Sequence, residues 1–180
     1  TMPIGIHKMF MQGDFEGTQN EMDLAIEGRG FFKVISGEDE MYTRAGNFKL
    51  DAEGNVVTPS GDKLEPELTV PESTVSVSID SDGSVTIFDA TGVGTALGNI
   101  ELYSFPNPAG LKSMGHNLLQ ATDASGEAIA AMPGTEGMGT IVQGYVELSN
   151  VDVVEEMVGM ITAQRAYEIN SKAIKTADEM

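Results

Sequence analysis

Apolar and polar positions alternate through most of this chain and then, towards its end, change period. Val75-Ser76-Val77-Ser78-Ile79 puts an apolar side chain at every second position, the spacing of a strand with one buried face. Asp80-Ser81-Asp82-Gly83-Ser84 supplies turn chemistry and Val85-Thr86-Ile87 returns, which predicts a hairpin. Phe48-Lys49-Leu50, Asp51-Ala52-Glu53-Gly54-Asn55 and Val56-Val57-Thr58 repeat that grammar, and Ile100 to Phe105 alternates until Pro106 and Pro108 stop it. With 21 Gly and 7 Pro punctuating short runs, residues 23–148 are expected to form an antiparallel β domain. Residues 1–22, broken by glycines, are expected to be an irregular connecting segment.

From residue 149 the period becomes 3.6. Ser149 or Asn150 can cap a helix. Asp152, Glu155 and Glu156 lie at its positive end, and Arg165, Lys172 and Lys175 lie further along. Residues 149–180 therefore predict a long C-terminal helix of about 45 Å, too long to be covered by a β domain of this size. Val151, Val154, Val158, Thr162, Ala166, Ile169 and Ala173 recur in steps of three and four. A second, adjacent line carries Val153, Met157, Met160 and Tyr167. Such a helix needs a partner. The expected assembly interface is Val151, Val154, Val158, Ile161, Ala166, Ile169 and Ala173, with the small residues admitting a close neighbour. The alternative is that the helix folds back over the β domain.

Charge narrows the partners. Asp and Glu number 28 against 10 Lys and Arg, a formal net charge of -18. From Leu64 to Gln164 the only basic residue is Lys112. This repels phosphate backbones and anionic lipid surfaces, so neither nucleic acid nor membrane insertion is expected. No apolar run approaches the roughly 20 residues of a membrane span, and no cleavable signal peptide is visible at the N-terminus. The chain starts on Thr1 and stops inside a helical pattern, so it reads as a segment of a longer protein.

Catalytic and metal chemistry find little footing. There is no cysteine, and His7 and His116 are isolated from each other, so neither a thiolate nor a paired-histidine metal site is expected. Asp80-Ser81-Asp82-Gly83 resembles the start of a calcium loop. Its Gly is fourth rather than sixth, however, and Thr91 stands where the twelfth-position Glu belongs. Gly134 to Thr140 is Gly-rich, but it lacks a Lys and holds Glu136, wrong for cradling phosphate. No catalytic residue, cofactor or metal site is expected, and the chain is read as a non-enzyme. Arg44 is one of few cations in the β region. Its expected role is to anchor a loop through carbonyls or a carboxylate, with an intersubunit ion pair as the alternative. Gly28 and Gly30 suit a tight turn into Phe31-Phe32, whose rings are expected to face opposite sides.

Two motifs carry a family resemblance. Asp23-Leu24-Ala25-Ile26-Glu27-Gly28-Arg29-Gly30-Phe31-Phe32-Lys33-Val34 and Tyr42-Thr43-Arg44-Ala45-Gly46-Asn47-Phe48 resemble the paired motifs of flagellar rod and hook proteins. Leu148 to Met157 and Ile161 to Lys172 resemble that family's C-terminal motif. The distal-rod branch is closest and the proximal-rod branch next; hook proteins usually carry a larger insertion. The resemblance implies a mainly β fold, an antiparallel β domain of the rod/hook type with a long C-terminal α-helix. It implies a structural subunit of the basal-body rod, exported without a cleaved signal to the periplasmic rod. It also implies self-assembly into a helical tube that transmits torque, with other rod and hook subunits and the surrounding basal-body rings as partners. The family's N-terminal helix is absent here, and in the family it pairs with the C-terminal one. The competing reading is a β-rich module binding cell-wall or carbohydrate material, with the helix as a dimerisation element. Aromatics at 6% and no Trp weigh against it.

Overall fold

The computed structural model describes residues 12–148 and 153–178, with helix side chains described over 157–175. They divide into two compact units, 1–148 and 149–180. In the first, the strands run β1 Phe15–Gly17, β2 Leu24–Glu27, β3 Phe32–Ser36, β4 Asp39–Thr43, β5 Lys49–Leu50, β6 Val56–Val57, β7 Lys63–Glu65 and β8 Thr74–Ile79. They continue with β9 Ser84–Asp89, β10 Gly94–Asn99, β11 Leu102–Ser104, β12 Lys112–Gly115, β13 Leu118–Gln120, β14 Ile129–Ala131, β15 Thr140–Gln143 and β16 Tyr145–Glu147. The second unit is α1, Val153–Asp178.

All named strand pairs are antiparallel. The largest sheet orders β12-β13-β4-β3-β7-β6-β5, and β10-β9-β8 form a three-stranded sheet. Both hairpins expected from alternation are present, with Val77 opposite Ile87 and Lys49 opposite Val57. The calcium-like stretch is the β8–β9 turn. Gly83 N–H donates to the Asp80 carbonyl at 3.0 Å, and an Asp82 oxygen accepts from Ser84 N–H at 3.0 Å.

The consecutive rings Phe31 and Phe32 serve two cores, as the pleat requires. Phe32 packs edge-on against Phe48, 5.2 Å between centroids, within a cluster that includes Leu24, Ile26, Val34, Leu64, Ile100 and Leu102. Phe31 joins Tyr42, Tyr103, Phe105 and Leu111 in a second, aromatic cluster, with Tyr42 and Phe105 at 4.8 Å. Such T-shaped contacts add about 0.5–1.5 kcal/mol to area burial. At Gly46 an added Cβ would overlap the Leu24 carbonyl, so only hydrogen fits where these segments cross.

One local difference from the sequence reading lies in residues 1–22. Phe15–Gly17 is a strand rather than an irregular connector, because its backbone pairs with Tyr145–Glu147, some 130 positions away in the chain. No local pattern announces a three-residue strand completed by so distant a partner.

Lys33 sits over the Tyr103 ring at 5.5 Å and reaches Glu40 at 2.7 Å and Glu65 at 3.2 Å. Burial alone would lower its pKa, but the hydrogen bonds and charges of the two carboxylates outweigh it and hold the ammonium above its ordinary value. Burial, with the Glu101 charge second, pushes the Tyr103 phenol up to about 12. A phenol whose folded pKa exceeds its unfolded value of about 10 holds its proton more tightly in the fold. The stability this gives is complete below about pH 10 and is lost as pH rises towards 12. The urea midpoint is therefore expected to fall over that window, and Tyr103→Phe to lessen the fall.

Candidate functional site

Arg44 follows β4 and is turned inward, its side chain 19% exposed. Its five N–H groups all find acceptors. Nε donates to Glu147 Oε2 at 2.9 Å, and Nη2 to the same oxygen at 2.7 Å and to the Ile26 carbonyl at 3.1 Å. Nη1 donates to the Gly28 and Gly30 carbonyls, each at 3.0 Å. A planar guanidinium is suited to such a fork, and a lysine could not reproduce it. The loop it holds runs through Gly28, φ +114°, where a Cβ would lie 2.9 Å from the Gly139 Cα. Gly139 N–H donates to the Arg29 carbonyl at 2.7 Å. The Gly-rich 134–140 stretch thus packs against this loop through Gly139, where a Cβ would overlap the Glu27 carbonyl, while Gly134 and Gly137 take the positive φ of tight turns. Of the two readings of Arg44, the loop anchor is the one the structure shows.

Glu147, 9% exposed, was not singled out by the sequence; no local spacing links it to a cation 103 positions away. Its second oxygen accepts from Gly13 N–H at 3.0 Å. Gln12 adds two longer contacts to the same loop, from Nε2 to the Ile26 carbonyl at 3.4 Å and to Oε1 from Gly28 N–H at 3.2 Å. Phe15 faces Glu147, Gly17 faces Tyr145, and Leu148 N–H donates to the Asp14 carbonyl at 2.8 Å. The chain therefore enters and leaves the β unit side by side, and one buried ion pair fastens both passages.

Beyond that exit lies α1. Of the expected interface residues, Val151 lies outside the described residues. Val154 is in the helix, but its side chain is likewise outside them. Val158, Ile161, Ala166, Ile169 and Ala173 are all exposed, Val158 at 57% and Ile169 at 66%. At about 100° per residue, Val158, Ile161 and Ile169 share one face, together with Arg165. Met160, Tyr167 and Ile174 fall roughly opposite them, Tyr167 being 75% exposed. Met157 lies only about 40° from Ile161, so the second line starts beside the first and moves round to the far face at Met160 and Tyr167, and no single groove would cover both.

Among the described residues no group of three His, Asp or Glu side chains is placed to hold a metal ion, and no helix is long and apolar enough to cross a membrane.

Comparison with known proteins places this arrangement. The profile of the flagellar hook protein FlgE/F/G D1 domain matches residues 25–87, and that of the flagellar basal body rod FlgEFG protein C-terminal matches residues 142–180. The flagellar basal-body rod protein FlgG of Buchnera aphidicola subsp. Schizaphis graminum is 46% identical over 181 residues, covering 99% of this chain and 69% of that protein. The FlgG of Borreliella burgdorferi is 46% identical over 177 residues, covering 96% of this chain and 67% of its own length. The Helicobacter pylori flagellar hook protein FlgE2 aligns at 17% identity over 69% of this chain and 28% of its own, with a TM-score of 0.36. The chain belongs to the flagellar rod and hook family, a family of structural proteins, and is close to the distal rod protein FlgG.

Proposed function

We propose that this chain is a subunit of the basal-body rod that polymerises with copies of itself into a helical tube and carries torque, without catalysing a reaction. The observation that carries this reading is the bare apolar surface of α1 after a β unit that is fastened by itself. The β unit receives and releases the chain at one place, through paired strands locked by Glu147 and Arg44. It then gives way to a helix whose apolar side chains lie bare on two faces. A helix contacted from more than one side suits a packed tube better than a single folded-back cover. The exposed residues Val158, Ile161, Ala166, Ile169 and Ala173, with Val151 and Val154 before them, are its assembly surface. Neighbouring rod and hook subunits and the surrounding rings are its further partners, and the periplasmic rod its location.

No observation favours the carbohydrate reading: Phe31, Tyr42, Tyr103 and Phe105 are packed against each other rather than displayed. The test is exchange. This chain replaces the matched span of FlgG in Borreliella burgdorferi, and basal bodies are inspected by electron microscopy. Rods of normal length are expected. Basal bodies lacking the rod segment, with the hybrid protein present and folded, would overturn the reading.

A further inference from the structure

An exposed sheet edge is a row of unpaired N–H and C=O groups, and proteins usually guard it. Several edges here are guarded. On β8, Val77 N–H is taken by Glu21 Oε2 at 2.8 Å and Ile79 N–H by Gln143 Oε1 at 3.1 Å, while Gln143 Nε2 donates to the Val77 carbonyl at 2.8 Å. The β5 edge is two residues long and begins with Lys49. The β12 edge carries Lys112 and an irregularity between Ser113 and Gly115.

Among the described residues, nothing of this kind covers strand β10. Asp89 N–H donates to the Val93 carbonyl at 3.3 Å, which fixes the alternation of the β9–β10 ladder. Thr95 then bonds to Ile87, while Gly94 and Ala96 turn their N–H and C=O groups away from β9. Gly94, Thr95 and Ala96 are exposed, and the ladder stays regular until its bulge between Ala96 and Gly98. Strand β14 presents a second edge of this kind. Tyr103 commits both its N–H and its C=O to Phe31, at 2.9 Å each. Ala130, opposite Tyr103, therefore directs its own pair outward, beside exposed Ile129 and Met132.

Charge selects the occupant. Copies of a chain with net charge -18 repel one another over most of their surface. No side chain is ionised between Asp89 and Glu101, nor between Glu127 and Glu136. These uncharged stretches hold β10 and β14. We propose that the β10 edge of one copy pairs with the β14 edge of a second copy, extending its sheet. Because the two edges are different surfaces of the same chain, the contact is head-to-tail and propagates, whereas β10 against β10 would close into a pair and stop. The inference rests on reading the chain as an assembling subunit.

The chain has no cysteine, so single cysteines report contacts cleanly. Ala96→Cys and Ala130→Cys chains, each checked for an unchanged unfolding transition, are mixed at high concentration and salt with a short bis-maleimide. A covalent heterodimer is expected in the mixture, with at least tenfold less product from either variant alone. Proton exchange at the Gly94, Ala96 and Ala130 amides should also slow with concentration in the unmodified chain. The crosslink should persist in a Val158→Asp background, which separates this contact from helix-mediated assembly. No heterodimer, equal self-coupling of Ala96→Cys, loss of the product in the Val158→Asp background or concentration-independent exchange would each overturn the pairing.

Discussion

Arg44→Ala is expected to lower the stability of the β unit by about 3–5 kcal/mol, the usual cost of stripping one partner from a buried ion pair. The substitution leaves the Glu147 carboxylate, 9% exposed, with Gly13 N–H as its remaining partner, and deprives the Ile26, Gly28 and Gly30 carbonyls of a shared donor. Removing the charge from both sides should be milder. Glu147→Leu with Arg44→Met leaves no buried charge, so a double-mutant cycle should show coupling of about 2 kcal/mol or more. Arg44→Lys keeps a charge but loses the fork, and belongs between these cases. Urea unfolding of the parent, Arg44→Met, Glu147→Leu and the double variant measures the coupling, and additive losses would show that the pair is incidental. Hydrogen exchange adds a local readout: amides of β1 and β16 should open faster in Arg44→Ala than those of β3 and β4.

The second large effect concerns the helix. Each Val or Ile removed from water at a helix seam contributes about 1.5–3 kcal/mol. An aspartate in its place adds the cost of an unpaired buried carboxylate. Val158→Asp should therefore cost assembly well over 3 kcal/mol per contact, raising the concentration needed for polymer more than 100-fold. Tyr167→Asp, on the opposite face, should do the same if both faces are covered. Glu38, exposed in the β3–β4 turn and away from the helix and from the β10 and β14 edges, serves as the control: Glu38→Gln should change little. Because the helix side chains are already exposed, these substitutions should leave the unfolding of the β unit unaltered. A loss of stability there would mean that the helix is part of its core.

Period was the legible part of this sequence. The β8–β9 and β5–β6 hairpins follow from alternation and turn residues, and α1 from the shift to a 3.6-residue period after residue 148. The opposed destinations of Phe31 and Phe32 follow from the pleat alone. Arg44 could be read as an anchor because it is a rare cation in an acidic region, but its acceptors could not be named. Three of them are carbonyls, which any residue carries, and the fourth is one of 28 acids. Strand β1 was illegible for a related reason, since Phe-Glu-Gly becomes a strand only when Tyr145–Glu147 lies beside it. The guards on β8 are likewise ordinary side chains, Glu21 and Gln143, given their role by folding. The opposed helix faces were within reach of the period, but counting apolar positions in two lines obscured the angle between them.

The bare helix is proposed as the assembly element of a polymerising subunit. Light scattering and electron microscopy of a purified hybrid, in which this chain replaces the matched span of the Borreliella burgdorferi FlgG, report on that role. Protein concentration and salt are varied, with and without Val158→Asp. Tubular polymers are expected above a threshold concentration, a threshold that falls as salt screens the charge of -18, with no tubes from Val158→Asp. A hybrid that stays monomeric at every concentration and salt, or a Val158→Asp hybrid that polymerises like its parent, would contradict it.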